Sequence, residues 1–213
     1  MPKTIYYRNL PHFQPLGGQF FITFRLKDSI PEAILKAYFQ NRQTQFEQLK
    51  DNPAELYKAS KRAFAQFDAY LDRCLTNHDY LKQNDVSQIL IATMKAHDQK
   101  SYDLLAYCIM PNHVHVVLDL SCQELLANTS CYRDLYQITG SIKSYSAKRI
   151  NTVLNRTGNL WQRESYDHFV RSPQELIRII RYTILNPVNA GLTQEWTQWP
   201  YSYVAPHLLP EFL

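Results

Sequence analysis

Glycine is scarce in this chain, with five in 213 residues. That excludes a collagenous or glycine-rich disordered polymer. The four cysteines (Cys74, Cys108, Cys122 and Cys131) include no Cys-x-x-Cys pair. Neither zinc-finger spacing nor a disulfide framework is indicated, and a reducing, cytoplasmic setting is expected. No apolar run approaches the roughly 18 residues of a membrane span. The opening MPKTIYYRNL lacks the apolar stretch of a signal peptide. Charge of one sign is also missing, since 23 basic residues face 19 acidic ones. What is present is a 45% hydrophobic chain with fifteen tyrosines. Such a chain can bury a real core, and we expect one domain over residues 1–213.

The small positive excess is unevenly placed. Residues 131–165 carry six basic and two acidic residues, whereas residues 31–130 carry ten basic and twelve acidic. A basic segment of this kind suits a phosphate backbone or is an ordinary solvated surface. Tyrosine richness adds stacking capacity for bases.

The most informative stretch is LLAYCIMPNHVHVVLDL, residues 104–120. Two apolar runs flank a Met-Pro-Asn turn. His113 and His115 follow it, one valine apart. Residues two apart in a strand share a face, so the two imidazoles look out from one side, and Val114, Val116 and Leu118 from the other. They are either paired metal ligands or two satisfied strand histidines.

Strands are expected at 20–26, 102–110, 113–120 and about 166–170, where aromatic and β-branched residues cluster. Helices are expected over 31–50, 54–74, 86–99 and 135–155. A further helix is opened by Ser172, Pro173 and Glu175, a cap, a first-turn proline and an acidic third residue. It should stop at Asn186-Pro187. The order strand, helices, hairpin, helix, strand, helix is that of an α+β, ferredoxin-like (split β-α-β) sandwich with a central antiparallel sheet. The stretch 31–100 reads as a helical insertion, and residues from about 193 as a tail that packs back.

On the last helix Tyr182 and Asn186 stand four apart and share a face. Asn186 brings an amide oxygen, and Tyr182 a phenol that is a weak nucleophile at its ordinary pKa of about 10. Two imidazoles and an amide oxygen suit Mg²⁺ or Mn²⁺. Lys143, Lys148 and Arg149 on the 135–155 helix are candidate phosphate contacts. Trp161, Gln162 and Arg163 are candidates to read or stack a nucleic acid, although Trp161 serves a core equally well. Arg25 reaches a phosphate or is simply solvated.

The segments MPNHVHVVL, GSIKSYSAKRIN, GNLWQRESYDHFVR and RYTILNPVNAGL, in this order, resemble the IS200-type transposase family. Within it they resemble the branch associated with repetitive extragenic palindromes. The likeness covers roughly residues 19–192, omitting parts of 31–100. It implies that His113 and His115 bind a divalent metal against a phosphate of single-stranded, hairpin-forming DNA. It implies too that Tyr182 attacks, stays bonded to the 5′ phosphate and releases a 3′ hydroxyl. Tyr145 is the rival nucleophile. The family commonly has Tyr-Ile where this chain has Tyr182-Thr183. Asn186 falls where relatives often place a glutamine ligand. A monomer is expected for this branch, and a homodimer for other relatives. The competing readings are a non-catalytic binder of structured single strands, and a metal-dependent hydrolase. The hydrolase reading is weakened because no paired carboxylate is evident near the histidines.

Overall fold

The computed structural model describes residues 5–7, 11–126 and 131–212. In chain order the strands are β1 (Ile5–Tyr7), β2 (Pro11–Phe13), β3 (Gln19–Arg25), β4 (Asp103–Ile109), β5 (His113–Asp119), β6 (Tyr166–Phe169) and β7 (Ser202–Val204). The helices are α1 (Glu32–Leu49), α2 (Pro53–Asp72), α3 (Asn84–Lys95), α4 (Leu135–Val153) and α5 (Pro173–Asn189). Among the described residues, no helix is long and apolar enough to cross a membrane.

Five strands form one antiparallel sheet in the order β6-β3-β5-β4-β7. The four expected strands make the ferredoxin-like core. β7, which sequence reading left inside the tail, adds a fifth strand beside β4 through Tyr107↔Tyr203. A three-residue strand carries too little periodicity to be recognised alone. β1 and β2 form a separate short hairpin.

Each sheet face is covered, which is why β3 and β5 are buried along nearly their whole length. Phe20, Ile22 and Phe24 of β3 and Val114, Val116 and Leu118 of β5 pack on one face. Their partners there are Val86, Leu90 and Met94 of α3 and Leu135, Ile138 and Ile142 of α4. Each fully buried side chain of this size contributes about 1.5–3 kcal/mol. On the opposite face Phe21, Leu105, Ala106 and Val117 meet Leu176, Ile180 and Ile184 of α5, with Phe64 of α2 packed beside them. Of the stretch 31–100, then, α3 is the first crossover helix, and α1 and α2 are the added elements.

Helix ends follow local chemistry. Asn52 caps α2, Asp134 and Gln137 form a capping box on α4, and Ser172 caps α5. One boundary differs from expectation: α5 runs through Pro187 to Asn189. A proline this near the C-terminus removes one intrahelical donor. Ala190 N still bonds Asn186 O, and Leu192 N bonds Pro187 O, so the last turn closes.

Candidate metal centre and nucleophile

β5 is the middle strand, and its register with β3 places Arg25 opposite His113 and Thr23 opposite His115. Both histidines face the α5 side and have no exposed surface. Their outer nitrogens are fixed by neighbours. His113 Nδ1 lies 2.7 Å from Asn112 Oδ1, and His115 Nδ1 lies 2.8 Å from Thr23 Oγ1. Asn112 is itself held by its Nδ2, which donates to Leu71 O at 2.9 Å. This leaves the two Nε2 atoms facing each other at 3.1 Å. Orientation of imidazoles through the far nitrogen is the arrangement that metal-binding histidines use. Burial, and for His113 also the neighbouring His115, pushes the His113 pKa well below its ordinary value. Burial likewise lowers that of His115. Both are therefore held as neutral imidazoles, the ligating form.

The third donor comes from α2, within the stretch expected as a helical insertion. α2 lays Asp68, only 2% exposed, against the pair. Asp68 Oδ1 is 3.4 Å from His115 Nε2 and 3.9 Å from His113 Nε2. Asp68, His113 and His115 form a buried group able to hold a metal ion. Ligand atoms sharing one divalent cation at about 2.0–2.2 Å stand about 3–3.6 Å from one another; the 3.1 and 3.4 Å separations fall in that range, and the 3.9 Å one needs a small inward shift of Asp68 or His113. Asp72, one turn on, places Oδ1 3.8 Å from His113 Nε2. Burial and then the charge of Asp68 push its carboxyl up to about 7. The expectation that no carboxylate pair stands near the histidines is thus corrected. The pair lies more than forty residues upstream, on a helix whose sequence reads as an ordinary amphipathic surface. Its one legible signal was the i, i+4 spacing of Asp68 and Asp72.

α5 closes the site. The Tyr182 hydroxyl donates to Asp68 Oδ2, and Asn186 Nδ2 donates to the same oxygen at 3.3 Å. The Tyr182 and His115 rings are 5.7 Å apart between centroids, and Phe21 stacks on His115 at 5.5 Å. Burial, then the charge of Asp68 that accepts its proton, raises the Tyr182 pKa. Tyr182 and Asn186 share one helix face as expected, both donating to Asp68 Oδ2, and Tyr182 also lies against the His115 ring. Asn186 Oδ1 has no hydrogen-bond partner among the described residues.

The expected nucleic-acid contacts are dispersed. Arg25 is buried on the same sheet face, with Nη1 donating to Leu26 O and Ser29 Oγ. Burial, opposed by Asp28, takes its pKa down to about 10. Lys143 donates to Gln162 O, Arg163 O and Ser165 Oγ, holding the loop before β6. Trp161 is in the core, with its ring edge-on to Phe24 at 4.9 Å and Nε1 bonded to Ser146 Oγ. Gln162 is half-buried and Arg163 exposed, while Lys148 and Arg149 lie exposed on α4, across the sheet from the histidines. Tyr145, the rival nucleophile, is 57% exposed on that same helix, with Arg149 over its ring.

A family model described as "Transposase IS200 like" matches residues 73–183, just over half of the chain. A curated protein of Haemophilus influenzae, provisionally named a REP-associated tyrosine transposase, is 28% identical over 105 residues. That alignment covers 47% of this chain and 58% of the relative, so the chain spans little more than half of that relative's length. A solved structure of a REP-associated tyrosine transposase bound to a REP hairpin superposes with a TM-score of 0.54 at 17% identity. It covers 92% of this chain and 81% of that one, and the two share a fold.

Proposed function

The chain belongs to the IS200-like transposase family, and from that premise we propose that it is a metal-dependent endonuclease and strand transferase acting on single-stranded, hairpin-forming DNA, as in the REP-associated branch. The observation that carries this reading is the meeting of Tyr182 with His113 and His115 across one shared carboxylate, Asp68.

His113, His115 and Asp68 would hold the cation, with Asn186 offering its free Oδ1 as a further ligand. Mg²⁺ or Mn²⁺ fits this mixed nitrogen and oxygen set. Such an ion, when bound, withdraws charge from a scissile phosphate and stabilises the charge that develops in the transition state. Tyr182 Oη attacks phosphorus. The Oη–P bond forms, the P–O3′ bond breaks, and O3′ takes up a proton from water, so the products are a 5′-phosphotyrosine and a 3′ hydroxyl. Asp68 Oδ2 already accepts the Tyr182 hydroxyl hydrogen, so the departing proton has an acceptor in place. The histidines have no exposed surface, so a phosphate reaches them only when α2 or α5 shifts. The exposed Lys148, Arg149 and Arg163 provide charge for the DNA backbone away from the site.

The test uses end-labelled hairpin DNA with a single-stranded flank, in Mn²⁺ or Mg²⁺. The wild-type chain should form a covalent adduct that resists denaturation, and EDTA should abolish it. Tyr182→Phe should lose the adduct and retain hairpin binding. An adduct from the Phe variant would overturn the nucleophile. Tight binding without cleavage across metals and sequences would favour the non-catalytic binder.

A further inference from the structure

The family match begins at residue 73, immediately after the last residue of α2. Asp68 and Asp72, the two carboxylates facing the histidines, both lie before it. Among the described residues, three oxygens around the cluster are buried without a hydrogen-bond partner: Asp68 Oδ1, Asp72 Oδ1 and Asn186 Oδ1. Asp68 and Asn186 are each 2% exposed. Two carboxylates one helical turn apart, Asp68 buried and the Asp72 side chain 25% exposed, are unfavourable through desolvation and mutual repulsion. The two imidazole Nε2 atoms face each other 3.1 Å apart beside these oxygens. One divalent cation among Asp68 Oδ1 and the two Nε2 atoms satisfies those three donors, which lie within 4.8 Å of one another; Asp72 Oδ1, 3.8 Å from His113 Nε2, joins them by a turn of its side chain, and the charge of the ion balances the two carboxylates.

We propose that helix α2 is a metal-binding element, and that Asp72 joins Asp68, His113 and His115 in a four-donor site that holds a divalent cation of the Mn²⁺ class before any DNA arrives. The inference rests on the reading of the histidine pair as a metal site and goes further in the ligand count and the order of binding. With imidazoles alone, the DNA phosphate must supply the anionic ligand. With Asp68 and Asp72, the protein supplies two. The added charge raises affinity for the ion, and the imidazoles favour Mn²⁺ over Mg²⁺.

Mn²⁺ binding to the full chain without DNA, measured by calorimetry and by loss of the free-ion electron paramagnetic resonance signal, tests this. The wild-type chain should bind one Mn²⁺. Asp72→Asn, nearly unchanged in shape, should weaken binding at least about tenfold, and Asp68→Asn more strongly. Thermal melting in EDTA checks folding, and Asp72→Asn should melt no lower than wild type because it removes the repulsion with Asp68. Unchanged Mn²⁺ affinity in Asp72→Asn, with loss in His113→Ala, overturns the four-donor site. No Mn²⁺ binding by the wild-type chain alone, together with metal-dependent adduct formation on DNA, overturns the order of binding and leaves the functional reading intact. An adduct that forms equally well in EDTA overturns the functional reading itself.

Discussion

Trp161 stands beside Gln162 and Arg163 in a stretch that reads as nucleic-acid-facing, yet its indole is turned into the core. It packs on Phe24 and donates to Ser146 Oγ, which is itself buried on α4. Its backbone also bridges to Leu26, so the residue continues the edge of β3. Trp161→Phe should therefore cost about 1–2 kcal/mol of stability through lost packing and the lost indole hydrogen bond. Hairpin affinity should stay within about threefold, a change worth less than 1 kcal/mol. Urea unfolding and fluorescence anisotropy measure the two quantities separately. A large loss of affinity at unchanged stability would return Trp161 to the DNA interface. The same ambiguity hid Asp68 and Asp72. Carboxylates four apart on a helix ordinarily mark a solvated face, and nothing local distinguishes them from a pair laid against two histidines.

At the scale of elements, α2 is fastened to the body through a second polar cluster, one end away from the candidate metal site. Glu175 on α5 accepts from Tyr57 and Lys61 of α2 and from the backbone N–H of Arg171, and lies 3.1 Å from His168 Nε2 of β6. Nearby, Phe64 of α2 stacks on Tyr166 at 4.0 Å. Burial pushes the Glu175 carboxyl up, but the Arg171 N–H, Lys61 and His168 outweigh it and hold the pKa at about 2. A carboxylate depressed in the folded state stabilises above its unfolded pKa of about 4.3, and that contribution disappears as pH falls towards the folded value. Glu175→Gln should accordingly lower stability by about 2 kcal/mol at neutral pH. It should also flatten the loss of stability between about pH 4.5 and 2. Denaturant titrations across that window decide it, and parallel acid limbs for the two proteins would remove Glu175 as the tether. Because α2 also carries Asp68, a loosened α2 should weaken Mn²⁺ binding as well.

For the whole molecule, the decisive arrangement is that β5, α2 and α5 of one chain converge. Tyr182 and the histidine pair need no second copy to meet. Mixing Tyr182→Phe with His113→Ala should then fail to restore nicking, since each variant lacks half of its own site. Recovery of about a quarter or more of wild-type adduct would show that tyrosine helices exchange between protomers, as domain swapping allows. The sequence by itself determined the parts whose signals are local. These are the four core strands and their hairpin, the Ser172 cap of α5, the shared face of His113 and His115, and the stacking of Tyr182 over Asn186. Strand alternation and helical spacing act over two to four residues, so they are visible without coordinates. Tertiary structure alone decided that α2 lies on α5, that Asp68 reaches Tyr182 from 114 positions away, and that Trp161 faces inward. It also decided that β7 extends the sheet. Those outcomes depend on which surfaces are buried against each other, and burial is a property of the packed chain that no short segment encodes.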